Sequence, residues 1–301
     1  MTEPRVAVAE LRDMLQVEEL DVDLFRGAPS AEGPGRVFGG QVVAQALAAA
    51  GRGVGEDRQA HSLHAYFLRA GDPARPIVYR VLRDFDGGSF TNRRVVAMQG
   101  GKPILNLAAS FHRREDGFAH AAPIREVPGP EQCPGLVEAL AAAGTRMPSA
   151  MLERLAAFEV RPGPPARLDA EGSGMPRQFL WFRLGAPMDA DEALSRVVLA
   201  YASDFALVST AVMPHAGGFF APGLQVASLD HAVWFHATPP VDDWLLYAMD
   251  SPWAGAGRGF ARGTVHDRAG RLVASVAQEG LCRILPAGAV RGERVGGPPG
   301  S

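Results

Sequence analysis

Asp204, Ser228 and Gln278, in the second half of the chain, together have the side chains needed to activate a water molecule. A carboxylate can take a proton, while a hydroxyl and an amide orient both the water and the acid, which is what general base catalysis requires. Asp204 stands inside a run that is apolar at Val197, Val198, Tyr201, Ala202, Phe205, Val208 and Val212, roughly the spacing of one helix face. Ionised carboxylates are rarely buried without partners. An acid in such a run is therefore either an N-cap at a helix break or a functional group held by hydrogen bonds. Ser228 and Gln278 taken singly read as ordinary polar strand residues, and only beside Asp204 do they suggest a site.

Positioning these residues calls for a helix followed by strands, and the chain contains that pattern twice. Residues 6–16 form an amphipathic helix, expected to pack on a sheet edge and to end before an acidic turn at Glu18 to Asp21. Residues 40–50 form a second helix, closed by Gly51, whose small residues cover nearly every face and suit a buried central position. Strands follow at about 60–70, 76–86 and 89–113, the last divided by a turn at Gly100 and Gly101. The segment 116–155 is rich in Ala and Pro and reads as a linker, with a short helical piece near 150–157. Strands near 157–161 and 178–184 then lead into a long helix at about 190–213 and strands at 223–237, 242–253, 258–267 and 271–284.

An internal duplication explains this recurrence. Phe90 to Phe111 and Phe260 to Leu281 are both 21 residues apart, each spanning a hairpin with Gly at its turn. Aligning the helices sets Asp204 opposite Gly39, Ser228 opposite Ser62 and Gln278 opposite Ala108; the loops from Asp204 to Ser228 and from Gly39 to Ser62 are 24 and 23 residues long. Only the second half carries acid, hydroxyl and amide together, so one productive site per chain is expected. Four units follow: a first repeat at 1–115, the linker at 116–155, a second repeat carrying the catalytic residues at 156–286, and a disordered tail at 287–301.

Composition excludes several other classes. The 301 residues are 47% hydrophobic with a formal net charge of −3, which leaves no basic footprint for nucleic acid, and no apolar run is expected to reach the length of a membrane span. There is no GxSxG elbow, and Gly255, Gly257 and Gly259 read as a hairpin turn rather than a dinucleotide loop because strand residues follow them. His61 and His64, three apart on a strand, should point to opposite faces and cannot share a metal. Cys133 and Cys282 are far apart without zinc-type spacing, which fits a reducing compartment, and the N-terminus shows no secretory signal. Arg93, Arg94, Arg113, Arg114, Arg258 and Arg262 could meet phosphates or simply decorate strand ends.

Five blocks carry a family resemblance: Phe38 to Ala46 (FGGQVVAQA), His61 to Arg69 (HSLHAYFLR), Tyr201 to Asp204 (YASD), Ser228 to His236 (SLDHAVWFH) and Gln278 to Gly280 (QEG). In this order the chain resembles the acyl-CoA thioesterase II (TesB-like) family from about residue 10 to 284. The resemblance implies an α+β double hot-dog fold, two tandem repeats whose antiparallel sheets each wrap a central helix. It also implies hydrolysis of fatty acyl-CoA to fatty acid and CoA, with Asp204, Ser228 and Gln278 activating water. No cofactor and no metal are implied. Gly40, Gln41 and His61 are the substrate-binding candidates, the first two through backbone N–H groups at a helix N-terminus that could meet the oxyanion. A cytoplasmic homo-oligomer, dimer or tetramer, is expected, with no nucleic-acid or membrane partner. Two other readings stay open: an acyl-CoA binding or sensing protein that has lost the chemistry, and a hot-dog dehydratase or hydratase in which His231 would lie within reach of the acid.

Overall fold

The computed structural model of the chain describes residues 3–29, 35–124, 126–164, 174–215, 219, 221 and 223–285. The expected disorder of the tail falls outside these residues. Helix α1 (Pro4–Leu15) starts on a proline, whose fixed φ suits the first helical turn. It buries Ala7, Val8, Leu11 and Leu15. It lies against the central helix α2 (Gly39–Gly51) rather than along a sheet edge, and Gln45 of α2 donates to the Met14 carbonyl at 2.6 Å. The acidic stretch expected as a turn is instead strand β1 (Val17–Asp21), paired with β2 (Leu24–Gly27) through a turn in which Asp23 has φ 57°. Edge strands are commonly charged to discourage pairing with other chains, and with Glu18, Glu19, Leu20 and Asp21 all exposed no alternation marks β1 as a strand.

Strands β3 (Arg58–Phe67), β4 (Ile77–Asp86), β5 (Phe90–Gln99) and β6 (Lys102–Arg113) follow as the alternation predicts. A 3₁₀ turn (Pro130–Gln132), α3 (Leu136–Ala142) and α4 (Ser149–Arg154) occupy the Ala/Pro-rich segment. Part of this segment covers a small second core of Cys133, Trp181, Trp244 and Leu246, and the Trp181 indole donates to the Pro128 carbonyl at 2.9 Å. The second repeat consists of β7 (Phe158–Pro162), β8 (Arg177–Leu184), α5 (Glu192–Ala202), α6 (Leu207–Val212), β9 (Leu224–Ser228), β10 (Asp230–Phe235), β11 (Leu245–Gly255), β12 (Arg258–Asp267) and β13 (Leu272–Ile284). Among the described residues all thirteen strands join one sheet, antiparallel at every pairing, in the order β1-β2-β4-β5-β6-β3-β10-β13-β12-β11-β8-β7, with β9 on β13.

The repeats thus meet at β3 and β10 in the sheet and at α2 and α5 inside it. The helices touch backbone to backbone: a Cβ on Gly40 would lie 2.4 Å from the Tyr201 carbonyl oxygen. This explains why α2 is built of small residues, since only they permit such an approach. The main core fills the space between the helix pair and the sheet.

Several expectations need correction. The helix expected at 190–213 is two, α5 and α6, parted by the turn 203–206. Its span Glu192–Val212 is also long and apolar enough to cross a membrane by length and composition, contrary to the expectation, although most of it is buried in the core. The strand expected at 223–237 breaks at Leu229: Ser228 faces Gly280 and Ala232 faces Ala277, and the Asp230 carboxylate accepts from the Glu279 amide at 2.6 Å. The shared spacing of 21 residues does not reflect a shared register, because Phe111 faces Thr91 whereas Leu281 faces Arg258. The Gly255 to Gly259 segment is a hairpin turn, as read, with Ala256 and Gly257 both at positive φ.

Candidate active site

Asp204 sits in the break between α5 and α6. The helix stops there because Ala206 takes φ 57°, a left-handed conformation costing a non-glycine residue roughly 1–2 kcal/mol. As a result Asp204 leaves the helix face and its carboxylate turns toward the other repeat, accepting the backbone N–H of Gly40 at 2.9 Å through Oδ2. The sequence left open a cap or a functional acid. The carboxylate does cap a helix, but that helix is α2 of the first repeat, where the macrodipole favours negative charge.

Ser228 and Gln278 converge on the same point. Gln278 lies on β13 opposite Ala261, almost wholly buried, and its Nε2 donates to Asp204 Oδ1 at 2.6 Å and to Ser228 Oγ at 3.1 Å. An amide NH₂ has two protons, so both bonds form at once. Gln278 Oε1, also buried, has no hydrogen-bond partner among the described residues. Ser228 ends β9 opposite Gly280, where a Cβ would lie 2.2 Å from Val208 Cγ2. The glycine of the QEG block thus lets α6 press onto β13 beside the site.

The first repeat supplies the opposite wall. A Cβ on Gly39 would lie 2.8 Å from Asp204 Oδ2 and 3.0 Å from Phe67 Cζ, and the Phe67 amide donates to the Leu229 carbonyl at 2.9 Å. Gly39, aligned with Asp204 across the duplication, therefore lies against it in space. Burial raises the pKa of Asp204 to about 6, opposed by the hydrogen bonds from Gln278 and Gly40 and by the positive charge of Arg154. Asp204 still keeps some exposed surface.

Arg154 was not singled out from the sequence. It ends α4, its guanidinium lies 5.2 Å from the Phe38 ring centre, and its carbonyl accepts from the Tyr201 hydroxyl at 3.0 Å. It is thereby tied to the residue preceding α2 and to α5. An arginine in an Ala/Pro-rich segment carries no signal of this placement.

The other candidates are placed differently. The Gly40 amide is already taken by Asp204, and the Gln41 side chain turns to the Ala28 carbonyl at 3.2 Å. His61 is not brought to the cluster. It sits at a bulge in β3, its ring 5.7 Å from that of Phe90 and 6.1 Å from that of His112. His112 lies on the outward side of β6, opposite to buried Leu107, Ala109 and Phe111, so the bulge turns His61 to the same outer face as His64 and the expected opposition of the two fails. All six arginines considered for phosphates pair with carboxylates: Arg93 with Asp86, Arg94 with Asp84, Arg113 with Asp57, Arg114 with Glu192, Arg258 with Glu279 and Arg262 with Asp250. His231 is buried, with Nε2 2.8 Å from Ser203 Oγ, and burial drives its pKa down to about 3, so the imidazole is neutral and engaged away from the carboxylate. The acid and histidine pair of the dehydratase reading is not hydrogen-bonded: the Asp204 carboxylate accepts from Gly40 and Gln278, and His231 meets Ser203.

A family model described as acyl-CoA thioesterase matches residues 153–281, and one described as acyl-CoA thioesterase N-terminal domain matches residues 28–112. The chain is 40% identical over 285 residues to acyl-coenzyme A thioesterase 8 of Homo sapiens, covering 91% of this chain and 88% of that protein. It is 38% identical over 280 residues to acyl-CoA thioesterase 2 of Haemophilus influenzae, covering 90% and 96%. The crystal structure of acyl-CoA thioesterase II TesB2 from Mycobacterium marinum superposes with a TM-score of 0.77 at 38% identity, over 94% of this chain and 99% of that one. A protein from Alicyclobacillus acidocaldarius described as having a hot dog fold, 21% identical, superposes with a TM-score of 0.69 over 94% and 99% and shares the fold.

Proposed function

The chain belongs to the acyl-CoA thioesterase family, a double hot-dog hydrolase of acyl-CoA thioesters, and on that premise we propose that Asp204 is the base of the reaction and Gln278 and Ser228 its positioning partners. Water gives a proton to Asp204 as its oxygen attacks the thioester carbonyl carbon. The C–S bond then breaks, the fatty acid forms, and the CoA thiolate takes the proton back from Asp204. No covalent enzyme intermediate is required. The observation that carries this reading is the Gln278 amide, which holds the Asp204 carboxylate and the Ser228 hydroxyl together beside the N-terminus of α2. For the oxyanion, the Gly40 amide is engaged with the base, which leaves the next first-turn amide, that of Gln41, as the donor at the α2 N-terminus. The test is release of free thiol from acyl-CoAs of several chain lengths. A protein that binds them without releasing thiol would be a binding or sensing protein instead.

Two outcomes follow from the geometry. Only the ionised carboxylate is a base, and its pKa is raised to about 6, so kcat/KM should rise with pH through a midpoint near 6 and level off above it. A midpoint near 4, the ordinary carboxylate value, would mean that Asp204 is not the group titrating. Ser228→Ala should impair turnover while Ser228→Thr largely preserves it, since the hydroxyl is what Gln278 engages. Equal damage from both would make Ser228 a packing residue.

The site draws Gly39, Gly40 and Phe67 from the first repeat and Asp204, Ser228 and Gln278 from the second, which supports one productive site per chain. Calorimetric titration with a non-hydrolysable acyl-CoA analogue should give one equivalent per chain, and residues 156–286 expressed alone should lack full activity. The expected division into two repeats, linker and tail, a cytoplasmic compartment supported by two free cysteines, and assembly into a dimer or tetramer complete the reading. Light scattering and cell fractionation test the last two.

A further inference from the structure

Asp204 depends on a turn that ordinary helix chemistry would not hold. The Ala206 carbonyl, at the N-cap of α6, accepts from the Ser209 amide at 3.1 Å and lies 2.5 Å from Ser209 Oγ and 3.4 Å from Thr210 Oγ1. These are local contacts within α6. The long-range one comes from β8: Gln178, paired with Met249 of β11, has Nε2 at 2.9 Å from the Ala206 carbonyl, 3.1 Å from Ser209 Oγ and 2.7 Å from Thr210 Oγ1. Thr210 is fully buried, so this anchor lies in the interior. We propose that Gln178 is a positioning residue of the thioester hydrolysis, clamping the turn at Ala206 so that the Asp204 carboxylate meets Gly40 and Gln278 in register.

Nothing places Gln178 on the substrate or on the carboxylate itself, so it acts through backbone geometry. Among the described residues, the charged or titratable groups coupled to Asp204 are Arg154 of α4 and Tyr247 of β11, and His231 of β10 hydrogen-bonds the neighbouring Ser203. The Tyr247 hydroxyl donates to the Ser203 carbonyl at 2.7 Å and stays protonated, and His231 stays neutral. None of these is a hydrogen-bond partner of Gln178. Removing the clamp therefore changes Asp204 only by loosening the hydrogen bonds that favour its ionised form.

The test uses the full chain with Gln178→Met, which keeps the volume and removes the donor, and Thr210→Val, which removes one partner from the other side. The expected result for Gln178→Met is a kcat lowered about 10-fold with KM changed less than about twofold, because a displacement well under 1 Å is enough for such a loss. The acid limb of kcat/KM should also move to higher pH. Thr210→Val should shift both in the same direction by less. A kcat at the parent value in both variants, a loss confined to KM, or a lowered kcat with an unmoved acid limb would overturn the proposal. It rests on Asp204 being the base, and the two failures are distinguishable: full turnover in Asp204→Asn removes the base, whereas an inert Asp204→Asn beside an unaltered Gln178→Met removes only the clamp.

Discussion

Asp204→Asn should lower kcat about 10²–10⁴-fold, roughly 2.7–5.5 kcal/mol, the usual contribution of a general base. Asn keeps the shape of Asp; its carbonyl oxygen can still accept the Gly40 amide that Oδ2 accepts now at 2.9 Å, and Gln278 must turn its amide over so that Oε1 accepts from the new NH₂ in place of the present 2.6 Å donation to Oδ1. The fold should therefore be retained. Stability supplies an independent check. A carboxyl whose pKa is raised by folding from 3.8 to about 6 contributes stability that is complete below its unfolded value and is lost as pH rises through about 6. An amide at this position has no such loss, so above pH 6 the variant should melt no lower than the parent. Thiol-release kinetics and thermal melts at pH 5 and pH 8 measure both effects. Undiminished turnover would take Asp204 out of the mechanism.

Gly39→Ala should damage turnover although residue 39 carries no chemistry. The new methyl would stand 2.8 Å from Asp204 Oδ2 and 3.0–3.1 Å from two Phe67 ring carbons, so the carboxylate must move by several tenths of an ångström and strain its bond to Gly40. A fall in kcat of about 10- to 10²-fold is expected, since misplacement on the order of 1 Å can cost 10²-fold. Gly39→Asp should be worse, because it sets a second carboxylate against the first. Gly40→Ala is the contrasting variant. Its Cβ would meet the Tyr201 backbone oxygen at 2.4 Å, so it should lower the melting temperature by forcing α2 and α5 apart. Parent-like kcat in Gly39→Ala would mean that the two repeats do not meet at the carboxylate.

The same contact fixes what the N-terminus of α2 does. The sequence alone expects this N-terminus to meet the oxyanion through the Gly40 and Gln41 amides. The structure assigns it to the close approach of Asp204 instead, which also withdraws the Gly40 amide from the oxyanion. A second acid at the aligned position 39 would face Asp204 directly.

Most of the architecture was legible because it rests on local periodicity. Alternation marked β3 to β6, small residues marked α2 as buried, and turn glycines marked the hairpins. The internal repeat picked out Asp204, Ser228 and Gln278, since side-chain type survives in the sequence whatever the packing. Features set by long-range partners were not legible. Strand β1 is a strand only because β2 pairs with it, and its exposed charges erase the alternation that would announce it. The apolar run 192–212 reads as one helix because propensity does not record the left-handed turn at Ala206, which Gln178 holds from 28 residues away. His61 went to the outer face because one bulged residue reverses the side on which a strand side chain falls. The sequence by itself determined where an acid, a hydroxyl and an amide stand at aligned positions and that only one repeat has all three. The tertiary structure alone decided where the carboxylate points, which amide it occupies and how far burial raises its pKa, because each depends on atoms brought together from distant parts of the chain.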